Sequence, residues 1–293
     1  MVKNRIGSTR VRSDADNVRE HYDLSNEFFA LFLDPTRTYS CAYFPREGMT
    51  LYEAQLAKID LILDKLGLEP GMTLLDIGCG WGSVMKRAIE RYDVNVIGLT
   101  LSRNQHAYCQ QVLDDVDSSR SRRVLLQDWA EFTEPVDRIV IIEALEHFGF
   151  HRYDEFFKFA YEAMPADGVM ALHAITGLHV NQAIERGIPL TMDMARFIRF
   201  MATEIFPGGR LPTIATVEEH STKVGFKVTR IQSLQSDFAQ TLDFWAAALD
   251  IHLEEAIVIQ SEEVYERYIK FLTGCAKAFR MGYIDCNQFT LEK

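Results

Sequence analysis

Residues Leu74-Leu75-Asp76-Ile77-Gly78-Cys79-Gly80-Trp81-Gly82 constrain this chain more than any other stretch. An apolar run ends in an acid and passes into three glycines at alternate positions. Helical spacing follows from Ser83 to Tyr92. This pattern is a strand feeding a turn where a ligand approaches the backbone, because glycine has no Cβ to obstruct it. Two nucleotide loops are excluded. A P-loop ends in a Lys-Ser/Thr pair, which is absent here. A dinucleotide fingerprint needs G-x-G-x-x-G and an acid about 20 residues on. Here the spacing is G-x-G-x-G, and the next apolar run ends in Thr100.

The pattern D-x-G-C-G-W-G resembles the S-adenosylmethionine loop of class I methyltransferases, and the rest of the chain suits that frame. Strands are expected at 73–77, 94–99, 123–127, 136–142 and 169–174, alternating with helices at 83–92, 102–115 and 153–164. A parallel sheet flanked by helices follows. A helix at 214–224, a strand at 227–232, a long helical region at 240–280 and a terminal strand at 286–291 complete it. The fold class is therefore α/β: a Rossmann-like, seven-stranded class I methyltransferase with helical N-terminal and lid insertions. Residues 1–15 are expected as a mobile tail and 16–293 as one domain, with 16–66 a helical cap and 175–212 a lid. Within the cap, Ser25 is placed to start a helix, Asp34-Pro35 to stop one, and Thr50 with Glu53 to form a capping box.

Charge and cysteine content narrow the function. A net charge of −11 argues against a general nucleic-acid binder. Five scattered cysteines with no C-x-x-C pair indicate neither a disulfide framework nor a zinc ribbon, so a reducing, cytoplasmic setting is expected. No apolar run approaches a membrane span, and the polar N-terminus lacks a signal-peptide core.

The lid segment Thr191 to Phe206 carries Met192, Met194, Phe197, Ile198, Phe200, Met201, Ile205 and Phe206. Apolar residues on more than one face predict a helix buried on several sides or one lining a greasy channel. Its place after the carboxyl end of a strand favours the channel, and flexible Met with flat Phe suits a long aliphatic guest. For the cofactor, Asp76 is placed to meet an ammonium or to fix the turn, and Thr100 or Gln105 to bond a ribose. Trp129 is placed to stack on adenine or to fill the core.

From about His21 onward the chain resembles the mycolic acid methyltransferases, the cyclopropane-synthase family. The carrying motifs are His21-Tyr22-Asp23-Leu24-Ser25, Tyr39-Ser40-Cys41-Ala42-Tyr43-Phe44, the Leu74–Gly82 loop, Asn95 to Ser102, Glu146-His147-Phe148-Gly149, Glu204 to Gly209 and Tyr268 to Cys275. The resemblance implies cofactor contacts from Tyr39, Ser40, Leu74, Leu75, Asp76, Ile77, Gly78, Cys79, Gly80, Trp81 and Gly82. It implies others from Thr100, Leu101, Ser102, Arg103, Asn104, Gln105, Trp129 and Ala130, the last often a glutamate in the family. It also implies a bicarbonate base held by Cys41, Glu146 and His173, with a tyrosine hydroxyl at the position of Phe238, which this chain lacks. Tyr22, Phe200 and Phe238 are assigned to the acyl channel.

Methylating an alkene creates a carbocation, whereas methylating an alcohol needs a base for the hydroxyl proton. Loss of the tyrosine hydroxyl impairs the first task more. Ile142 to Phe150, Phe157 to Tyr161, His179-Val180 and Phe238 resemble the hydroxyl-methylating members. The reading is O-methylation of a very long hydroxyacyl chain on acyl carrier protein, with S-adenosylmethionine consumed and S-adenosylhomocysteine released. Glu146 or His173 is the expected base or its holder, and Glu143 is a third carboxylate that raises a neighbour's pKa by like charge. Cyclopropanation of a double bond is the nearest alternative, and a non-catalytic lipid-binding module is one of another class. Cys275 is a candidate catalytic residue whose bland role is core packing. No metal is expected: His147 and His151 stand four apart, but Gly149 interrupts a helix between them.

Overall fold

The computed structural model of the 293-residue chain describes residues 25–189, 191–207 and 209–293. Tyr22, the expected tail and its arginines lie outside the described residues. Seven strands form one sheet: β1 (Thr73–Ile77), β2 (Asn95–Thr100), β3 (Arg122–Leu126), β4 (Arg138–Ile142), β5 (Val169–Gly177), β6 (Lys227–Ser233) and β7 (Ile284–Glu292). Their order is β3-β2-β1-β4-β5-β7-β6. The first five run parallel, and β7 is antiparallel to both β5 and β6.

Alternation along the strands explains the layers. Leu74, Val96, Val124, Val140 and Ala171 point to one face and pack beneath the helices Leu51–Asp64, Ser83–Tyr92 and Arg103–Asp114. Leu75, Ile77, Ile97, Leu99, Ile139, Ile141 and Leu172 point to the other, against Phe156, Phe157 and Val217. The central strands β1, β2, β4 and β5 are largely apolar and buried because both faces are covered, whereas the edge strand β6 is mostly polar and exposed.

A third cluster joins the cap, the lid and the long helices. Phe28, Phe29 and Phe32 meet Trp81, Trp245, Tyr268 and Phe271 there. Ser25 caps the helix Asn26–Ala30 by accepting from Phe28 N, and Thr50 and Glu53 form both halves of the capping box. The expected 240–280 helical region begins earlier and is three helices: Gln235–Ile251, Leu253–Ile259 and Glu262–Arg280. The breaks fall at His252 and at Gln260-Ser261, where Ser261 accepts from Val264 N to start the last helix.

The lid also differs from expectation. Met192–Phe200 is α-helical, and Met201–Ile205 continues as a π turn. Only one side is buried, through Met194, Phe200 and Ile205, while Met192 is 70% and Ile198 54% exposed. The lid rests mainly on the helix Glu262–Arg280, and Phe206 also meets the His147 ring. Within that helix a Cβ on Gly274 would stand 2.1 Å from the Phe197 ring, so only glycine admits this close approach. No helix among the described residues is long and apolar enough to cross a membrane.

Candidate active site

A cleft opens at the carboxyl ends of β1, β2 and β4, where strand order reverses and open α/β sheets bind ligands. The glycine turn forms its floor. Gly78, Gly80 and Gly82 all have positive φ, at 81°, 53° and 87°. Gly78 and Gly82 are closed by packing, since added Cβ atoms would meet Ala144 Cβ at 2.8 Å and Cys109 Sγ at 2.5 Å. A Cβ on Gly80 would meet nothing within 4 Å and would extend into the cleft.

Asp76 lines this floor, 2% exposed. Burial pushes its carboxyl up to about 7 against the pull of the Lys58 ammonium. Its Oδ2 has no hydrogen-bond partner. A buried, unpaired carboxylate oxygen beside a glycine cradle fits a cationic or hydroxylated ligand.

The side walls bring together much of the expected set. Tyr39 and Ser40 reach the cleft, with Ile77, Cys79 and Trp81, and so do Thr100, Leu101, Ser102, Gln105 and Trp129. Thr100 Oγ1 donates to Gln105 Oε1 at 3.0 Å. Trp129 is mainly a core residue, packed on Phe148, Phe156 and Phe159.

Other expected residues stand apart. Leu74 and Leu75 are strand residues in the two core layers, Gly82 is covered by Cys109, and Arg103 and Asn104 face solvent at the start of their helix. Ala130 is exposed, its N–H donating to Asp128 Oδ1. Phe200 and Phe238 do not line the cleft. Phe238 stacks on Phe279 at 4.6 Å, and the Lys270 ammonium lies over Phe200. Cys275 is buried with its Sγ 4.0 Å from Met201 Sδ, and burial raises its thiol pKa. It is therefore a packing residue, with a thiol kept protonated.

The carboxylates correct the reading of the base. Cys41 N donates to Glu143 Oε1 at 2.8 Å, and His173 Nε2 lies 3.2 Å from the same oxygen. Thus Glu143, and not Glu146, joins Cys41 and His173. Glu143 lines the cleft. It holds a left-handed backbone, φ 50°, which is uncommon outside glycine and is shared among the described residues by Arg37 and Asp93. Burial pushes its carboxyl up to about 7. Glu146 sits behind it, bonded to Ile175 N at 2.6 Å, with Oε2 unpartnered. Burial, and then the like charge of Glu143, pushes Glu146 up to about 8, in the direction expected. Burial also holds His173 well below the ordinary histidine range, so it is neutral.

Residues missed from sequence complete the cleft. Lys58 is fully buried and donates to Ser40 Oγ at 2.7 Å. Gln55 Nε2 donates to the carbonyls of Thr38 and Ser40, fixing the loop that carries Cys41. Both lie on the inward face of the helix Leu51–Asp64, three residues apart, among Ala54, Ile59 and Ile62. Polar residues inside an apolar stripe were the available signal. Arg152 reaches the far wall, bonded to Asp128 and lying over Trp129. His147 lines the cleft, whereas His151 is exposed on a separate 3-10 turn.

The sheet order, the glycine cradle and the acid at its floor define an S-adenosylmethionine-dependent methyltransferase. More narrowly, the chain belongs to the mycolic acid cyclopropane synthetase family, whose model matches residues 9–289. It is 76% identical over 293 residues, the full length of both chains, to methoxy mycolic acid synthase MmaA3 of Mycobacterium tuberculosis. It is 65% identical over 278 residues to cyclopropane mycolic acid synthase MmaA2 of the same organism, covering 95% of this chain and 97% of that one. Among solved structures, the cyclopropane synthase MmaA2 aligns with a TM-score of 0.94 at 64% identity, covering 95% of this chain and 98% of that one. Mycolic acid cyclopropane synthase CmaA1 complexed with SAH and CTAB aligns at 0.93 and 63%, with the same coverage.

Proposed function

We propose that this enzyme O-methylates a hydroxyl on a very long meromycolyl chain, as the name of its methoxy mycolic acid synthase relative suggests. The observation that carries the reading is Glu143, a carboxylate facing the cofactor cleft with its pKa near neutrality. S-adenosylmethionine supplies an electrophilic methyl when bound and leaves as S-adenosylhomocysteine. Gly80, Asp76 and the Thr100–Gln105 turn hold it. Glu143 takes the hydroxyl proton as the acceptor oxygen is methylated, since a base with pKa near the working pH is the efficient one. Cys41 N–H holds Glu143 Oε1 in place, with His173 Nε2 3.2 Å from the same oxygen.

The bicarbonate implied by the family resemblance does not fit this donor set. Two of its expected holders, Cys41 and His173, already meet the Glu143 carboxylate. No step is assigned to it; the chain provides its own anion and base. Phe238 agrees with this reading, because alcohol methylation needs no added hydroxyl there to steady a cation. In the same reading residues 16–66 act as cap and 175–212 as lid of one catalytic unit. The acyl chain arrives on acyl carrier protein, in a cytoplasm that the five free cysteines suit.

C-methylation of a double bond is the second reading, favoured by the aromatic cluster of Tyr39, Phe238 and Trp245, whose π faces suit a cation. Product analysis separates the two. With a hydroxylated long-chain precursor, a methoxy singlet in the product NMR is expected, and cyclopropyl resonances overturn the proposal. Phe238→Tyr tests the supporting argument: an unchanged partition between the two products removes it.

A further inference from the structure

His173 of β5 faces Gln288 of β7, and Gln288 faces Gln232 of β6. Three polar side chains therefore stand in register across three strands at the buried end of the sheet. Lys65, the C-cap of the helix Leu51–Asp64, drops onto this row. Its ammonium donates to Gln288 Oε1, and to Gln232 Oε1 at 2.9 Å. Gln288 Nε2 stands 3.1 Å from His173 Nδ1. On the far side of the ring, Nε2 lies 3.2 Å from Glu143 Oε1 and 2.9 Å from Cys286 Sγ.

Burial, and then the charge of Arg230, lowers the Lys65 pKa to about 8, and below that pH the direction of every bond follows from one fact: an ammonium only donates. Each glutamine atom facing Lys65 must be oxygen. Gln288 therefore turns its NH2 to His173, and Nδ1 accepts. A neutral imidazole with an accepting Nδ1 carries its proton on Nε2. We infer that Lys65 and Gln288 are positioning residues that lock His173 as the Nε2–H tautomer, so that a proton and not a lone pair faces Glu143 Oε1 and Cys286 Sγ, and His173 is never the base. This inference rests on the reading of Glu143 as base, and it says what keeps that carboxylate oriented.

The alternatives are unfavourable on the same geometry. The opposite tautomer would need Gln288 flipped, placing its NH2 against the Lys65 ammonium in a buried site. Cys41, His173 and Cys286 also gather metal-ligand atoms within 4.8 Å of one another. A cation there would face the positive charges of Lys58 and Lys65, which already act on His173, and would need the Nε2 proton expelled.

The test is 15N NMR of histidine-labelled enzyme, with His173 assigned from the signal missing in His173→Gln. A pyrrole-type Nε2 and a pyridine-type Nδ1 are expected. The reverse pattern in the wild type overturns the inference, even if Gln288→Glu misfolds. Gln288→Glu keeps an acceptor for Lys65 but offers a carboxylate to Nδ1, so the tautomer should reverse. The Nε2 lone pair then opposes Glu143. The acidic limb of the pH–rate profile should move up by about one unit, and kcat should fall on the order of tenfold. An unchanged tautomer and profile in a folded Gln288→Glu would also refute it. The tautomer is read without substrate, so its result is independent of which product the enzyme makes.

Discussion

Replacing Glu143 by Gln isolates its role as base from its role as anchor. The amide oxygen still accepts from Cys41 N, and the His173 ring keeps its own contacts to Gln288 and Cys286, so the loop and the ring stay in place. Only the ability to take a proton is lost. General-base catalysis supplies about 10²–10⁴ in rate, or about 3–5 kcal/mol of barrier. Methyl transfer from labelled cofactor should therefore drop at least a hundredfold, with the Kd for S-adenosylhomocysteine little changed by calorimetry. The pH dependence follows in sign. The base works ionised, and burial lifts its pKa from 4.5 to about 7. Wild-type kcat should rise with pH through 7, and at pH 6 should be about a tenth of its alkaline plateau. The variant should lack this limb. A Glu143→Gln enzyme that keeps more than half the wild-type kcat, or the same acidic limb, refutes the assignment.

Other expectations follow from the cleft. Gly80→Ala places a methyl in open space at φ 53°, costing about 1–2 kcal/mol of backbone strain. S-adenosylhomocysteine binding should weaken about tenfold or more, while the melting temperature falls only a few degrees. Asp76 is raised to about 7 and is charged above that pH, so wild-type cofactor affinity should tighten from pH 6 to pH 8. In Asp76→Asn, isothermal titration at the two pH values should give nearly equal Kd. Cys275→Ala should leave kcat within about twofold and cost about 1 kcal/mol of stability, read by urea unfolding. A catalytic loss without unfolding would return that thiol to the site.

The comparison of sequence with structure divides along range. The parallel strands were legible because most are apolar runs with a punctuating turn, and all seven strands appear within a few residues of expectation. The caps at Ser25 and Thr50 were legible for the same reason: a cap is a contact across three residues. The lid was less so. Its apolar content suggested burial on several sides or a channel wall, but how many sides are covered depends on neighbours far away in the chain, chiefly the helix that receives it at Gly274. The 240–280 region hid its breaks because His252 and Gln260 are not themselves helix breakers.

Local order in the chain determined the cofactor. A strand, an acid and three alternate glycines are consecutive, and their chemistry is carried by the backbone itself, so Asp76 and Gly80 could be named from the sequence. The acceptor side was decided only by the tertiary structure. Glu143 and Glu146 are three residues apart in one loop and look equivalent on paper. Folding turns Glu143 into the cleft, where Cys41 N holds it beside His173, and leaves Glu146 behind against Ile175. Lys58, Lys65 and Gln288 bear on the same site from a helix and a terminal strand. The physical reason is that a pKa or a tautomer depends on burial and on partners within a few ångströms, and here those partners come from distant parts of the chain, 102 residues apart for Cys41 and Glu143 and 115 for His173 and Gln288.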